Sequence, residues 1–342
     1  MDIQEMVPDE AYARLIQVSG MLMPWALATV TQLNIPELIG DDRLSADELA
    51  RESGADPAAL RRLLRYLALR DVLVEGPAGV FGLGSLGEAL RQEATAGTGR
   101  LFDPEGFPFR VQMAWSRLPE AIRSGRPGYD MVHGKSFWDD MNSDPERGAG
   151  FDANMAIFTS VWIPSVVSAR PWGSYRNFVD VGGGNASMAI ALLREAPALH
   201  GTIVDLPAVA DNARANLKQS GVVDRCEVVA GSFFDTLPAG ADAYLLAQIM
   251  HDWPDDQAVR ILRRCAEAAK PDGHVYVMDR VLAEKATDIM HEEVNLLMFN
   301  MFGSTERTRA EFADLTAAAG LRITTIEDLS MGISLIDCMP VP

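Results

Sequence analysis

A doubly wound, mainly parallel α/β sheet behind a mostly α-helical winged-helix unit is the fold class this sequence predicts. Three observations carry that prediction. Strand-like and helix-like segments alternate from Asn177 onward, the pattern of a parallel sheet covered by helices. The first of those strands runs into a triple glycine and then a helix. The first hundred residues place two capped helices ahead of a short hairpin, the order of a winged helix.

The run from Ala11 to Ile35 is nearly apolar. Its spacing predicts one long helix buried around most of its circumference, which calls for a second subunit as its cover. Ser45-Ala46-Asp47-Glu48 is a capping box that opens a short helix. Asp56-Pro57 then sets a cap and an N1 proline before the helix through Leu67. Val72–Glu75 and Val80–Leu83 flank a Gly-Pro-Ala-Gly turn. A winged helix invites a DNA-binding reading, but residues 1–100 hold 15 acidic against nine basic residues. A nucleic-acid surface is basic, so a dimerisation role is expected and no nucleic-acid partner.

Residues 101–170 read as a helical connector, with apolar residues at helical spacing over Trp115–Ser124, Ser136–Met141 and Gly148–Val167. Its aromatic and methionine side chains suit core packing or a hydrophobic acceptor pocket. The expected division is thus 1–100, 101–170 and 171–342. In the last part, strands are expected at Phe178–Val181, Gly201–Asp205, Arg225–Ala230, Ala243–Gln248 and His274–Asp279. Ligands of such sheets sit at the carboxyl ends of the strands, where the strand order reverses.

The bulk properties exclude several classes. The net charge is −18 over 342 residues, so small molecules and protein partners are expected. No apolar run reaches the roughly 18 residues of a membrane helix. The acidic start argues against a signal peptide. Three scattered cysteines, Cys226, Cys265 and Cys338, offer neither a disulfide framework nor zinc spacing and point to the reducing cytoplasm. No metal is expected.

The chemistry gathers at the strand ends. In Asp180-Val181-Gly182-Gly183-Gly184-Asn185-Ala186 the glycines let a ligand approach the backbone, and a helix N-terminus follows. The dinucleotide fingerprint fails because Ser187 occupies its third glycine position, which disfavours a nicotinamide oxidoreductase. Asp205 tips the second strand, 21 residues beyond Gly184, where an acid can accept hydrogen bonds from both hydroxyls of a ribose. Leu206-Pro207 fixes it there. Gly231-Ser232-Phe233-Phe234 follows the third strand, and one of the two rings can lie on an adenine face. His251-Asp252-Trp253-Pro254 lies just past the fourth strand. Asp279 and Glu306 are the carboxylates available to hold its far imidazole nitrogen.

From Phe178 to Phe312, these motifs in this order resemble the caffeic-acid-type O-methyltransferases of plants and their bacterial relatives that decorate aromatic natural products. The resemblance covers essentially the whole chain, because that family also carries a winged-helix dimerisation domain. It implies a Rossmann-like class I methyltransferase fold, a homodimer, and S-adenosylmethionine as methyl donor with S-adenosylhomocysteine as product. It further implies that Gly182 and Gly184 contact the cofactor, Asp205 its ribose and Phe233 its adenine. His251 is then the general base, framed by Asp279 and Glu306. Asp180, Leu206, Ser232 and Gln248 join the expected cofactor set. The acceptor pocket is expected to draw on Trp115, Met155, Phe158, Asp252, Met298, Asn300 and Met301.

The sequence departs from the family in three places. Ala186 replaces the last glycine of the loop, putting a methyl group into the first helical turn. Ser232 replaces an aspartate near the adenine edge. Asp279 replaces a glutamate and has the shorter reach. A hydroxyl of a small aromatic acceptor is the expected methyl target. A phenol near pKa 10 and an ordinary imidazole near 6.5 leave full prior deprotonation about 5 kcal/mol uphill. Methylation at carbon or nitrogen, and a non-catalytic regulatory winged helix, are the alternatives.

Overall fold

The computed structural model describes residues 11, 12, 15, 18–91, 106–269 and 271–341. The chain forms two compact units, Met1–Gln112 and Met113–Pro342.

In the first unit the expected single helix from Ala11 to Ile35 is divided. A turn falls at Ser19, and a helix runs Leu22–Gln32. Pro24 lies in its first turn, where the missing N–H is harmless, but a continuous helix would drive the ring into the backbone at Gly20. Asn34, with φ 56°, ends the segment in the left-handed region. Both expected caps form. Ser45 and Glu48 exchange their bonds ahead of Ala46–Ser53, and Asp56 accepts from the Ala59 N–H ahead of Pro57–Ala68. Strands β1 (Leu44–Ser45), β2 (Leu73–Glu75) and β3 (Val80–Leu83) make an antiparallel sheet in the order β1-β3-β2. Helices followed by this small sheet are the winged-helix arrangement.

The second unit is built on β4 (Asn177–Val181), β5 (His200–Asp205), β6 (Cys226–Ala230), β7 (Ala243–Ala247), β8 (His274–Leu282), β9 (Arg307–Thr308), β10 (Leu321–Asp328) and β11 (Ile333–Pro340). The sheet order is β10-β11-β8-β7-β4-β5-β6, with β9 beside β8. Strands β4 to β8 are mutually parallel, whereas β11 runs antiparallel to both β8 and β10. The chain moves outward from β4 to β6 and then returns to β7, so the order reverses between β4 and β7.

Alternate side chains of each strand enter opposite apolar layers. Phe178 joins Trp162, Val166, Leu192 and Ile203 on one face. Val179 and Val181 join Leu246, Ile261, Leu262 and Phe312 on the other. With both faces of the central strands packed in apolar layers, the polar side chains of the site gather at their ends.

Candidate active site

The first strand end is a glycine turn. Gly182 donates to the Val204 carbonyl at 2.8 Å, and Gly182 and Gly184 adopt φ of 73° and 55°, a region natural to glycine. A Cβ on Gly182 would stand 2.6 Å from Ile249 Cδ1 and 3.5 Å from Phe233 Cε1, while a Cβ on Gly184 would meet nothing within 4 Å. The turn is therefore crowded at its start and open at its end. Ala186 is not in the first helical turn as expected. It is the N-cap of the helix Ser187–Glu195, with φ 72° and ψ 10°. Its departure from glycine is thus felt as backbone strain of roughly 1–2 kcal/mol.

Two carboxylates flank this turn. Asp205 accepts the Gly184 N–H at 2.8 Å on Oδ2 and the Leu206 N–H at 2.7 Å on Oδ1. Burial raises its pKa, and those two bonds draw it back down. Each oxygen keeps a free lone pair. Leu206 contributes its backbone, and its side chain is exposed. Asp180 is buried, and among the described residues neither of its oxygens has a hydrogen-bond partner. Burial, then the charge of Asp205, pushes it up to about 7. A buried carboxylate without a partner is destabilising unless a ligand supplies one. The open glycine turn, the orphaned Asp180 and the spare lone pairs of Asp205 fit an amino-acid ammonium and a ribose diol, both of which S-adenosylmethionine carries.

Beyond β6, Ser232 Oγ accepts the Phe234 N–H at 3.2 Å and so shapes its own turn. The two rings separate in role. Phe234 packs 5.0 Å from Trp253 under the Arg260 guanidinium, whereas Phe233 sits against Gly182.

The most polar cluster lies past β7. Gln248 takes a left-handed φ of 56°, an uncommon conformation for a side-chain-bearing residue and one that concentrates at functional sites. Its amide bonds Met278 O at 3.1 Å and Asp279 Oδ1 at 3.2 Å. The chain then turns through Met250–Asp252 and buries His251. Nδ1 of His251 lies 2.9 Å from Glu306 Oε1, and Nε2 lies 3.4 Å from Asp252 Oδ1. Asp279, expected beside the imidazole, makes no hydrogen bond to it. Its second oxygen accepts the Met250 N–H at 3.1 Å instead. Glu306 is therefore the orienting acid, and Asp279 fixes the backbone that carries the histidine.

Burial disfavours the charged imidazole, but Glu306, Asp252 and Asp279 together outweigh it and push His251 up to about 10. Burial raises Asp252 and Asp279 to about 7, against the opposing pull of His251.

Several residues that sequence reasoning missed hold this loop. Arg307 is 1% exposed and donates to Met250 O, Trp253 O and Asp255 Oδ1, each at 2.8 Å. Ser304 Oγ donates to the His251 carbonyl. Asn295 Oδ1 accepts from Thr305 Oγ1 and the Glu306 N–H at 3.0 Å each. Ile249 covers Gly182. Arg307 follows Glu306 directly, and a charged residue between two polar ones was the available signal.

On the acceptor side, Met298, Asn300 and Met301 are buried on the helix Ile289–Phe302. Asn300, expected in the acceptor pocket, packs its amide against Gly128, where no Cβ would fit. Among the described residues neither amide atom has a hydrogen-bond partner. Trp115 is half-buried in the turn Trp115–Arg117. Met155 and Phe158 are half-buried on the helix Pro145–Ala169.

A family model of the O-methyltransferase domain matches residues 115–322, and one of the O-methyltransferase dimerisation domain matches residues 16–93. The chain belongs to the O-methyltransferase family. This methyltransferase is 35% identical over 327 residues to 2,7-dihydroxy-5-methyl-1-naphthoate 7-O-methyltransferase of Streptomyces carzinostaticus, covering 96% of this chain and 97% of that protein. It is 36% identical over 302 residues to the mitomycin biosynthesis 6-O-methyltransferase of Streptomyces lavendulae, covering 87% and 85%. An O-methyltransferase from neocarzinostatin biosynthesis, solved with S-adenosylmethionine and 2-hydroxy-5-methyl naphthoic acid, superposes with a TM-score of 0.87 at 34% identity, covering 95% and 98%. The protein is thus an S-adenosylmethionine-dependent O-methyltransferase. Among the described residues no helix is long and apolar enough to cross a membrane.

Proposed function

We propose that this methyltransferase acts on a hydroxyl of a small aromatic acceptor of the natural-product kind, with His251 as general base. One observation carries the reading: a buried imidazole at the end of β7, hydrogen-bonded through Nδ1 to Glu306. The naphthoate and mitomycin O-methyltransferases it resembles support an aromatic acceptor.

When bound, S-adenosylmethionine supplies a methyl group already activated by its sulfonium. Gly182 and Gly184 would let the backbone approach it. Asp205 would accept from the ribose, Asp180 from the ammonium, and Phe233 with Ile249 would flank the nucleoside. Ser232, Leu206 and Gln248 complete that side through their backbone and turn contacts. Trp115, Met155, Phe158, Met298 and Met301 would wall the acceptor, with Asp252 and Asn300 as its polar lining.

With Nδ1–H donated to Glu306, the neutral imidazole presents Nε2 as an acceptor. His251 takes the hydroxyl proton there, and Glu306 stabilises the imidazolium that results. The surrounding carboxylates raise His251 to about 10, the range of a phenol. Transfer to the neutral imidazole is then close to isoenergetic, and the cost moves to freeing that imidazole of its own proton, about 4 kcal/mol at pH 7.

A homodimer through the N-terminal unit is part of the proposal, supported by the exposed apolar side chains of Val18, Met21, Leu22 and Trp25 and by the dimerisation-domain match. The cytoplasm is its proposed setting, supported by three free, buried cysteines.

The test is turnover of His251→Ala on a phenolic acceptor found by screening the wild type. Loss of about 10²–10⁴-fold in kcat is expected, with S-adenosylhomocysteine affinity unchanged by calorimetry. Turnover within threefold of wild type refutes the base assignment.

A further inference from the structure

Arg280 follows Asp279 in β8 and is 4% exposed. Successive side chains of a strand leave on opposite faces. Asp279 reaches Gln248 and Met250. Arg280 shares instead the face of Tyr276 and Met278, in the apolar layer that also holds Trp162 and Val166. There its guanidinium lies 5.5 Å from the Phe158 ring centroid.

Among the described residues, the Arg280 side chain makes no ion pair and no hydrogen bond, and its Nε is enclosed without a partner. A guanidinium stays charged in proteins. Left without a counter-ion in an apolar layer, it weakens the fold. Structures keep such a group where a ligand brings the missing charge.

Its place in the sheet says which ligand. The last β7–β8 pair is Ala247 with Met278, so Arg280 stands two residues beyond it, at the carboxyl end where ligands of such sheets bind. The glycine turn follows β4 and Asp205 ends β5. In the sheet order these lie on the far side of β7 from β8. At about 4.8 Å per strand, β8 is roughly 10 Å from β4 and 14 Å from β5. His251, at the end of β7, separates the two halves. The lone cation therefore belongs to the acceptor half.

We infer that Arg280 is a specificity-determining residue that pairs with a carboxylate on the aromatic acceptor, with Phe158 packing against the pair. The inference rests on the methyltransferase reading above. A planar guanidinium is suited to two parallel hydrogen bonds with a carboxylate, and an uncharged acceptor would leave it unpaired.

Calorimetry on the full-length protein tests this with four probes: S-adenosylhomocysteine, 5′-methylthioadenosine, 2-hydroxy-1-naphthoate and 2-naphthol. With S-adenosylhomocysteine present, the wild type should bind the naphthoate at least tenfold more tightly than the naphthol. Arg280→Gln should lose that preference, bind the naphthol and both nucleosides as before, and melt no lower than the wild type without ligand. Arg280→Lys should keep part of the preference. A wild type that takes up the naphthoate no better than the naphthol overturns the inference, whether or not the variants fold. So does an Arg280→Gln protein that loses S-adenosylhomocysteine but keeps 5′-methylthioadenosine, because the anion would then be the cofactor's carboxylate. A wild type indifferent to S-adenosylhomocysteine refutes the methyltransferase reading instead.

Discussion

Nδ1 of His251 and Oε1 of Glu306 lie 2.9 Å apart across 55 residues of sequence. The glutamate side chain is fully enclosed, and Asn295 anchors its backbone. The imidazole is therefore oriented from the end of the helix Ile289–Phe302, not only by the loop that carries it. An imidazole held from two elements keeps one tautomer and one direction, which its proposed role in proton transfer requires.

The basicity of His251 makes a signed prediction for pH. With its pKa up at about 10, His251 holds its proton in the ligand-free protein at neutral pH. kcat/KM should accordingly rise with pH from 7 toward 10 as the imidazole is released. Glu306→Gln removes the charge that supports the imidazolium, so the rising limb should move to lower pH. Its plateau should fall about tenfold or more, because the freed base is weaker. A pH–rate profile of both proteins checks this. Superimposable limbs would contradict the assigned pairing.

Asp180 makes the second prediction, on stability. Its carboxyl is held up at about 7 by burial and by Asp205, so the folded protein keeps a proton that the unfolded chain releases near pH 4. Folded-state proton excess means that stability falls as pH rises through that window. The full penalty is present above about pH 7. Asp180→Asn should melt higher than the wild type at pH 8, by up to about 4 kcal/mol of stability, and equal to it near pH 4. Its affinity for S-adenosylhomocysteine should drop, since an amide cannot pair with the ammonium. Equal melting at pH 8 would show that Asp180 is already paired.

Much of the fold was legible because the signals are local. The Ser45–Glu48 box, the Asp56 cap and the alternation of apolar strands with helices are each set within a few residues. The antiparallel pair β10–β11 was not read, because the half-buried β10 carries no turn or glycine motif tied to chemistry. The division of the Ala11–Ile35 run was hidden because apolar periodicity outweighed Pro24. At the site, motif order set Asp205 at the tip of the second strand and His251 just past the fourth, and the structure has them at the end of β5 and just beyond β7. Motif order did not decide between Asp279 and Glu306, since that choice depends on how far β8 and the helix Ile289–Phe302 advance toward the imidazole. Arg280 was unread for the same reason. Whether a strand arginine finds a partner is a fact of packing.

Arg307 yields a third prediction. One guanidinium joins Met250 O, Trp253 O and Asp255, and so spans the loop on both sides of His251. A lysine keeps the charge but not the planar fork of donors, leaving at least one buried carbonyl unpaired. Arg307→Lys should lose about 1–3 kcal/mol of stability. Its kcat should fall more than its KM rises, because the misplaced group is the proposed base. Thermal melts and steady-state kinetics measure both, and an unchanged kcat in a folded variant would remove Arg307 from the positioning of His251.

Ala186 separates two readings of the glycine loop. In a first helical turn, Ala186→Gly would cost about 1 kcal/mol through helix propensity. At the observed φ of 72°, glycine instead relieves roughly 1–2 kcal/mol of left-handed strain. The buried methyl that is lost offsets about 0.8 kcal/mol of this. The structure therefore predicts a small gain, with a melting temperature raised by about 1–3 °C. Ala186→Val should move it the other way, because a β-branched side chain is least tolerated at positive φ. A glycine variant that melts several degrees lower would return this residue to the helix and remove the strain from the loop.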